Sequence, residues 1–258
     1  MAGYIGQLGR MVKILWPTPV KVTNPTRYAV QSAPARRWAF VSSPASARRR
    51  EWSLEVTGTN AETAELAQLV AGAFGDGPWV FVPDEATVTN VLTPAESMLS
   101  GVANAGAADG VGGVGARSRT GGGPITIAEA CPCIPGEPVT VTVDMAGAAG
   151  VLSGQPVNAA GQPVGPDVTA RPSGELMERV SVVIPALPLG ACAVKIQTRG
   201  STTVTRPQVT WTDGPVPWDM GAGAASVIIE EAQTTYTNYE FHMREMWRTL
   251  SLTIREVG

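Results

Sequence analysis

Hydrophobic and polar residues alternate with period two near both ends of the chain. Trp52, Leu54 and Val56 alternate with glutamate and serine, which is typical of a strand with one buried and one exposed face. Residues 249–255 repeat this pattern, with leucine and isoleucine on one face and threonine, serine and arginine on the other. We expect this terminal strand to pair with the Trp52 strand, because chain ends often lie close together in domains. Shorter apolar patterns predict three further strands: residues 12–16, 37–41 and 79–82.

The period changes from two to about 3.6 after the Trp52 strand. Apolar residues recur at helical spacing from Leu66 to Phe74, which predicts one amphipathic helix. Thr59 and Glu62 have the spacing of a capping box at its start. Gly75 supplies the left-handed residue that commonly ends a helix.

A second set of strands follows a stretch of small residues. Residues 100–123 are rich in glycine and alanine, which is typical of a linker or a long loop. Beyond them, short apolar alternations are separated by glycine and proline, and this pattern predicts a β-sandwich. The alternations are at residues 139–143, 180–184, 194–196, 209–211 and 227–229.

We therefore expect a mainly β fold with a discontinuous first domain. The chain has 258 residues, enough for one large β domain or two smaller ones. Residues 1–102 and 236–258 are expected to form a β domain with one amphipathic helix, completed by the C-terminal strand. Residues 103–123 would link it to an inserted, jelly-roll-like sandwich at 124–235. Residues 1–9 have no clear period and are expected to form an extended arm.

Composition agrees with this architecture and disfavours two classes of partner. The chain has 29 glycines, 21 prolines and 16% charged residues, a composition of short strands and turns. Its net charge of −3 is spread along the chain and is unsuited to nucleic acid. Arginines 48–50 are interpreted as a solvated edge, with a partner-binding patch as the alternative. No apolar run suits a membrane span and no signal-peptide pattern is present, so we expect folding in a cytoplasm.

Few residues are suited to catalysis or metal binding. His242 is the only histidine, and its aromatic neighbours favour a packed or rim position over a catalytic one. The acidic pairs at 84–85 and 230–231 are adjacent, and in a strand adjacent side chains point to opposite faces. We expect no enzymatic activity, no cofactor and no metal.

The three cysteines allow two interpretations. Cys131 and Cys133 are too close in sequence to bridge each other without strain. Either one of them pairs with Cys192, or all three are free buried thiols.

The tryptophans carry the clearest hint of a binding site. The chain has seven tryptophans but only four phenylalanines. Trp211, Trp218 and Asp219 are candidate glycan contacts, since an indole face covers the C–H groups of a sugar while polar neighbours bind its hydroxyls. In the alternative interpretation, Trp211 is a core residue and Trp218 fills a gap between domains.

Several segments together resemble one protein family. They are Arg49-Arg50-Glu51-Trp52-Ser53-Leu54, the helix ending at Phe74, the stretch from Gly75 to Asp84 and Asn90-Val91-Leu92-Thr93-Pro94. Their order is similar to that in minor or distal tail proteins of long-tailed, siphovirus-like phages infecting actinobacteria. Residues 134–141 and 207–211 are similar to the opening and closing strands of the galactose-binding-like jelly-roll modules found in such proteins.

The resemblance implies a virion structural protein of the tail tip. Such proteins form a homo-oligomeric ring, usually a hexamer, which acts as an adapter between the tail tube and the tip or baseplate proteins. An N-terminal β domain closes the ring and a peripheral sandwich faces outward. The alternative is a carbohydrate- or host-surface-binding module that acts in adsorption.

Overall fold

The structure is a computed structural model, and it describes most of the chain. The described residues are 2–15, 18–23, 28–32, 38–42, 49–100, 102, 106–107, 117–119, 124–200, 202–240 and 245–257. The fold is mainly β, as predicted, with 52% strand and 7% helix. His242 lies outside the described residues.

The chain divides into two compact units. One comprises Gly3–Met11 and Val80–Ala225 and is called the sandwich unit below. The other comprises Val12–Trp79 and Ser226–Gly258 and is called the split unit, because it contains two distant parts of the chain. These boundaries differ from the expected ones at 102 and 236.

The described residues of the sandwich unit form two sheets, a further antiparallel pair of strands and two short helices. Its elements are β1 (Ala2–Gln7), β7 (Trp79–Val82), a 3₁₀ helix (Glu85–Thr87), α2 (Pro94–Ser97), β8 (Gly106–Ala107), β9 (Arg117–Arg119), β10 (Ile125–Pro132), β11 (Val139–Ala146), β12 (Val151–Val157), β13 (Val168–Ala170), β14 (Glu178–Ile184), β15 (Ala193–Arg199) and β16 (Thr202–Thr210). One sheet has the order β10-β15-β12-β13 and the other β14-β11-β16-β9-β8. Apolar side chains from both sheets form the core, including Val141, Val143, Leu152, Val182 and Ile196.

Two expectations for this unit were wrong. The first residues, expected to form an extended arm, instead form β1, which pairs antiparallel with β7 through Ile5 opposite Phe81. Ile5 is fully buried, and this burial stabilises a strand that shows no periodic pattern. In the expected linker, β9 pairs with β16 and β8 pairs with β9. Small residues are compatible with strand backbone when a neighbouring strand supplies the hydrogen bonds.

The split unit contains an antiparallel sheet whose strands come from two distant parts of the chain. Its elements are β2 (Arg10–Leu15), β3 (Thr18–Thr23), β4 (Tyr28–Ser32), β5 (Trp38–Ser42), β6 (Glu51–Thr59), α1 (Ala64–Val70), β17 (Ala224–Glu240) and β18 (Glu245–Glu256). Four strands lie in the order β17-β18-β6-β3, and β4 pairs separately with β5. Leu252 lies opposite Leu54 and Ile254 opposite Trp52. The predicted pairing of the terminal strand with the Trp52 strand is confirmed.

The strand predicted at 227–229 belongs to this sheet and not to the sandwich. β17 runs continuously from Ala224 to Glu240 and forms a long ladder with β18, from Val227 opposite Glu256 to Glu240 opposite Glu245. A local valine–isoleucine pattern indicates a strand, but it does not reveal which sheet the strand joins.

The predicted helix is present but shorter than expected. The Thr59 N–H donates to the Glu62 carboxylate at 2.9 Å, and the Glu62 N–H donates to Thr59 Oγ1 at 3.3 Å. These reciprocal bonds close a turn just before α1, whose N-cap is Thr63. The helix ends at Val70 because Gly72 already adopts a left-handed φ of 82°, three residues before Gly75.

Candidate functional site

A buried polar cluster lies on the outer side of the five-stranded sheet of the sandwich unit. Thr140, Thr142 and Asp144 of β11 are buried although they point away from the valine core. The Gln208 side chain donates to the carbonyls of Thr89 and Pro217 at 2.7 and 2.8 Å. The segments that contain these two carbonyls therefore lie against this face.

Two arginines share one carboxylate within this cluster. Arg179 Nη1 donates to Asp144 Oδ1 at 3.0 Å and to the Arg206 carbonyl at 2.7 Å. Its Nη2 donates to Thr142 Oγ1 at 2.6 Å and to Gln208 Oε1 at 2.5 Å. Arg206 forms an ion pair with the other Asp144 oxygen. Burial of Arg179 lowers its pKa, while the bond to Asp144 opposes this shift. These ion pairs and hydrogen bonds, called the brace below, join the three strands β11, β14 and β16.

A bulge brings Arg206 to the shared carboxylate. The register between β11 and β16 shifts between Thr142 and Asp144. Opposite this shift, Arg206 has a φ of 50°, which is uncommon for a residue with a Cβ. Sequence reasoning missed the cluster, because the alternating threonines and aspartate of β11 are typical of a solvent-exposed face.

Asn90 fixes the segment that covers this face. Its amide nitrogen donates to the carbonyls of Pro207 and Asp219 at 3.2 and 2.9 Å. Its oxygen accepts from the N–H groups of Leu92 and Val209 at 3.2 and 3.0 Å. Asn90 is fully buried, and all four of its hydrogen-bonding positions are used. It therefore joins three segments of the sandwich unit.

The candidate glycan residues lie in the loop after β16. Trp211 is half-buried, its indole N–H donates to the Pro132 carbonyl at 3.3 Å, and its ring meets Tyr4 edge to face at 5.1 Å. The half-buried Trp218 donates its indole N–H to the Pro207 carbonyl at 3.3 Å. Asp219 is exposed and accepts from the Met220 N–H at 2.7 Å. Both indole N–H groups are thus held by backbone carbonyls.

The three cysteines are buried and free. Cys131 and Cys133 pack within the sandwich core, and the Cys133 thiol lies 3.4 Å from the Cys131 carbonyl. A Cβ on Gly9 would lie 3.7 Å from the Cys192 sulfur, so that cysteine packs beside Gly9. The neighbouring Cys133 thiol and burial raise the pKa of Cys131, and burial raises that of Cys192. Protonated thiols are weak nucleophiles.

The acidic pair at 84–85 does not lie on a strand, contrary to the assumption made from the sequence. Asp84 is the N-cap of the 3₁₀ helix and accepts from the Glu85 N–H at 3.0 Å. Partial burial and the neighbouring Asp84 raise the pKa of Glu85. In the second pair, Glu230 accepts from Arg255 at 2.6 Å.

Arg50 is not a solvated residue, contrary to expectation. Its guanidinium donates twice to Glu256, at 3.0 and 2.9 Å, and lies 4.9 Å from the centre of the Trp52 ring. This contact joins the start of β6 to the end of β18 within the split unit.

The described residues include one small cavity near α2. A cavity of about 40 Å³ is lined by Val91, Thr93, Glu96 and Pro132, among others; it has room for water but not for a typical small-molecule ligand. The described ranges contain no group of metal-ligating side chains, and no helix within them is long and apolar enough to cross a membrane.

No protein-family model, curated protein or solved structure matches the chain.

Proposed function

We propose that this chain is a structural protein of a phage tail tip, where it forms an adapter ring between the tail tube and the tip or baseplate proteins. The observation that supports this proposal best is the split unit. Its sheet is completed by the last strand of the chain, with Ile254 opposite Trp52, while residues 80–225 form a separate compact unit. A sheet scaffold joined to a second compact unit suits an assembly protein.

The proposed ring contains several copies of the chain, and a hexamer is the expected number. The sandwich unit would face outward as a galactose-binding-like, jelly-roll module. In this role the function depends on surfaces and on rigidity rather than on a reactive group. The ion-paired brace around Asp144 and the saturated hydrogen bonds of Asn90 are suited to holding such a module rigid.

Assembly can be tested with the purified full-length chain. Native mass spectrometry and negative-stain class averages over a concentration series should show a closed ring, and antibody labelling should place the chain at the tail tip of virions. Trp218→Ala is the matched control, since it alters a loop of the sandwich unit and should leave ring size unchanged. A monomer at every concentration, together with no labelling of purified tails, would refute the proposal.

The second candidate function is binding of a host-surface glycan by the sandwich unit. It is favoured by Trp218, which is half-buried beside the exposed residues Asp219 and Met220. A glycan array that gives a signal with the native chain and none with Trp218→Ala would support this function. An array without signal would remove it.

A further inference from the structure

We draw no further inference here: the strongest candidate, the surface patch around Leu189, which is 90% exposed in the turn between β14 and β15 of the sandwich unit, carries nothing because no contact among the described residues shows what covers it.

Discussion

Replacement of Asn90 by alanine is expected to destabilise the sandwich unit strongly. The substitution removes the amide group that donates to Pro207 and Asp219 and accepts from Leu92 and Val209. The Pro207 carbonyl keeps a donor, because the Trp218 indole also donates to it at 3.3 Å. Two buried N–H groups and one carbonyl lose their partner.

The magnitude follows from these three groups. Each buried polar group that is left without a partner costs about 1–3 kcal/mol, and partial access of water to the carbonyl reduces its share, so we expect a total of about 3–5 kcal/mol. Urea unfolding followed by tryptophan fluorescence measures the loss. Hydrogen exchange should locate it in the segments around residues 90 and 209.

Asn158→Ala is the matched control for this prediction. Asn158 also forms three side-chain hydrogen bonds, to Ala160 and Gln162, but they are exposed to solvent. Its replacement should cost less than about 1 kcal/mol. If Asn90→Ala costs no more than Asn158→Ala, the reasoning from buried hydrogen bonds is refuted.

Three further substitutions test other contacts. Arg50→Ala should cost about 1–2 kcal/mol in the same urea unfolding assay, because it removes a bidentate ion pair and a ring contact. Lys195→Ala should cost less than about 0.5 kcal/mol, because its ion-pair partner Glu129 is exposed to solvent. Glu85→Gln should raise the Tm at pH 7. The pKa of Glu85 is raised in the folded state, so its protonated form stabilises the fold below the ordinary pKa of 4.5, and this stabilisation is lost as the pH rises through the folded-state pKa. Glutamine stays uncharged at every pH and avoids that loss. Gly223→Ala should cost about 1–3 kcal/mol in urea unfolding, because its Cβ would overlap a backbone carbonyl and overpacking has a cost of this size. Gly214→Ala is the control in the same loop and should cost less, because its Cβ would meet no atom within 4 Å.

Each of these predictions has an outcome that contradicts it. Equal losses for Arg50→Ala and Lys195→Ala would mean that the Arg50 contact does not stabilise the split unit. For Glu85→Gln, a gain in Tm that persists at pH 3 would show that the carboxylate charge is not its cause. Equal stability of the Gly223 and Gly214 variants would refute the argument from close backbone approach.

Local pattern was sufficient for the elements whose stability is mainly local. Alternation predicted the strands around Trp52 and Leu252, because each has one apolar face. Their pairing is confirmed, but it was predicted from the proximity of chain ends in domains and not from the alternation. The contact between Thr59 and Glu62 was also predictable, since capping depends on residues three apart.

Pattern was insufficient where burial depends on distant segments. The polar face of β11 was missed because threonine and aspartate usually face water, whereas here Asp144 is buried beside Arg179 and Arg206, which come from two other strands. β1 lacks a period, and its strand exists through its pairing with β7.

The sequence by itself determined that the chain is mainly β and that the segments around Trp52 and Leu252 form strands with one buried face, because period-two alternation of apolar residues is typical of half-buried strands. Only the tertiary structure decided the boundaries of the two units and the assignment of β17 to the terminal sheet. It also decided that Asp144 is buried between two arginines. These features depend on which distant segments meet, and backbone hydrogen bonds between strands carry no signature in the local sequence.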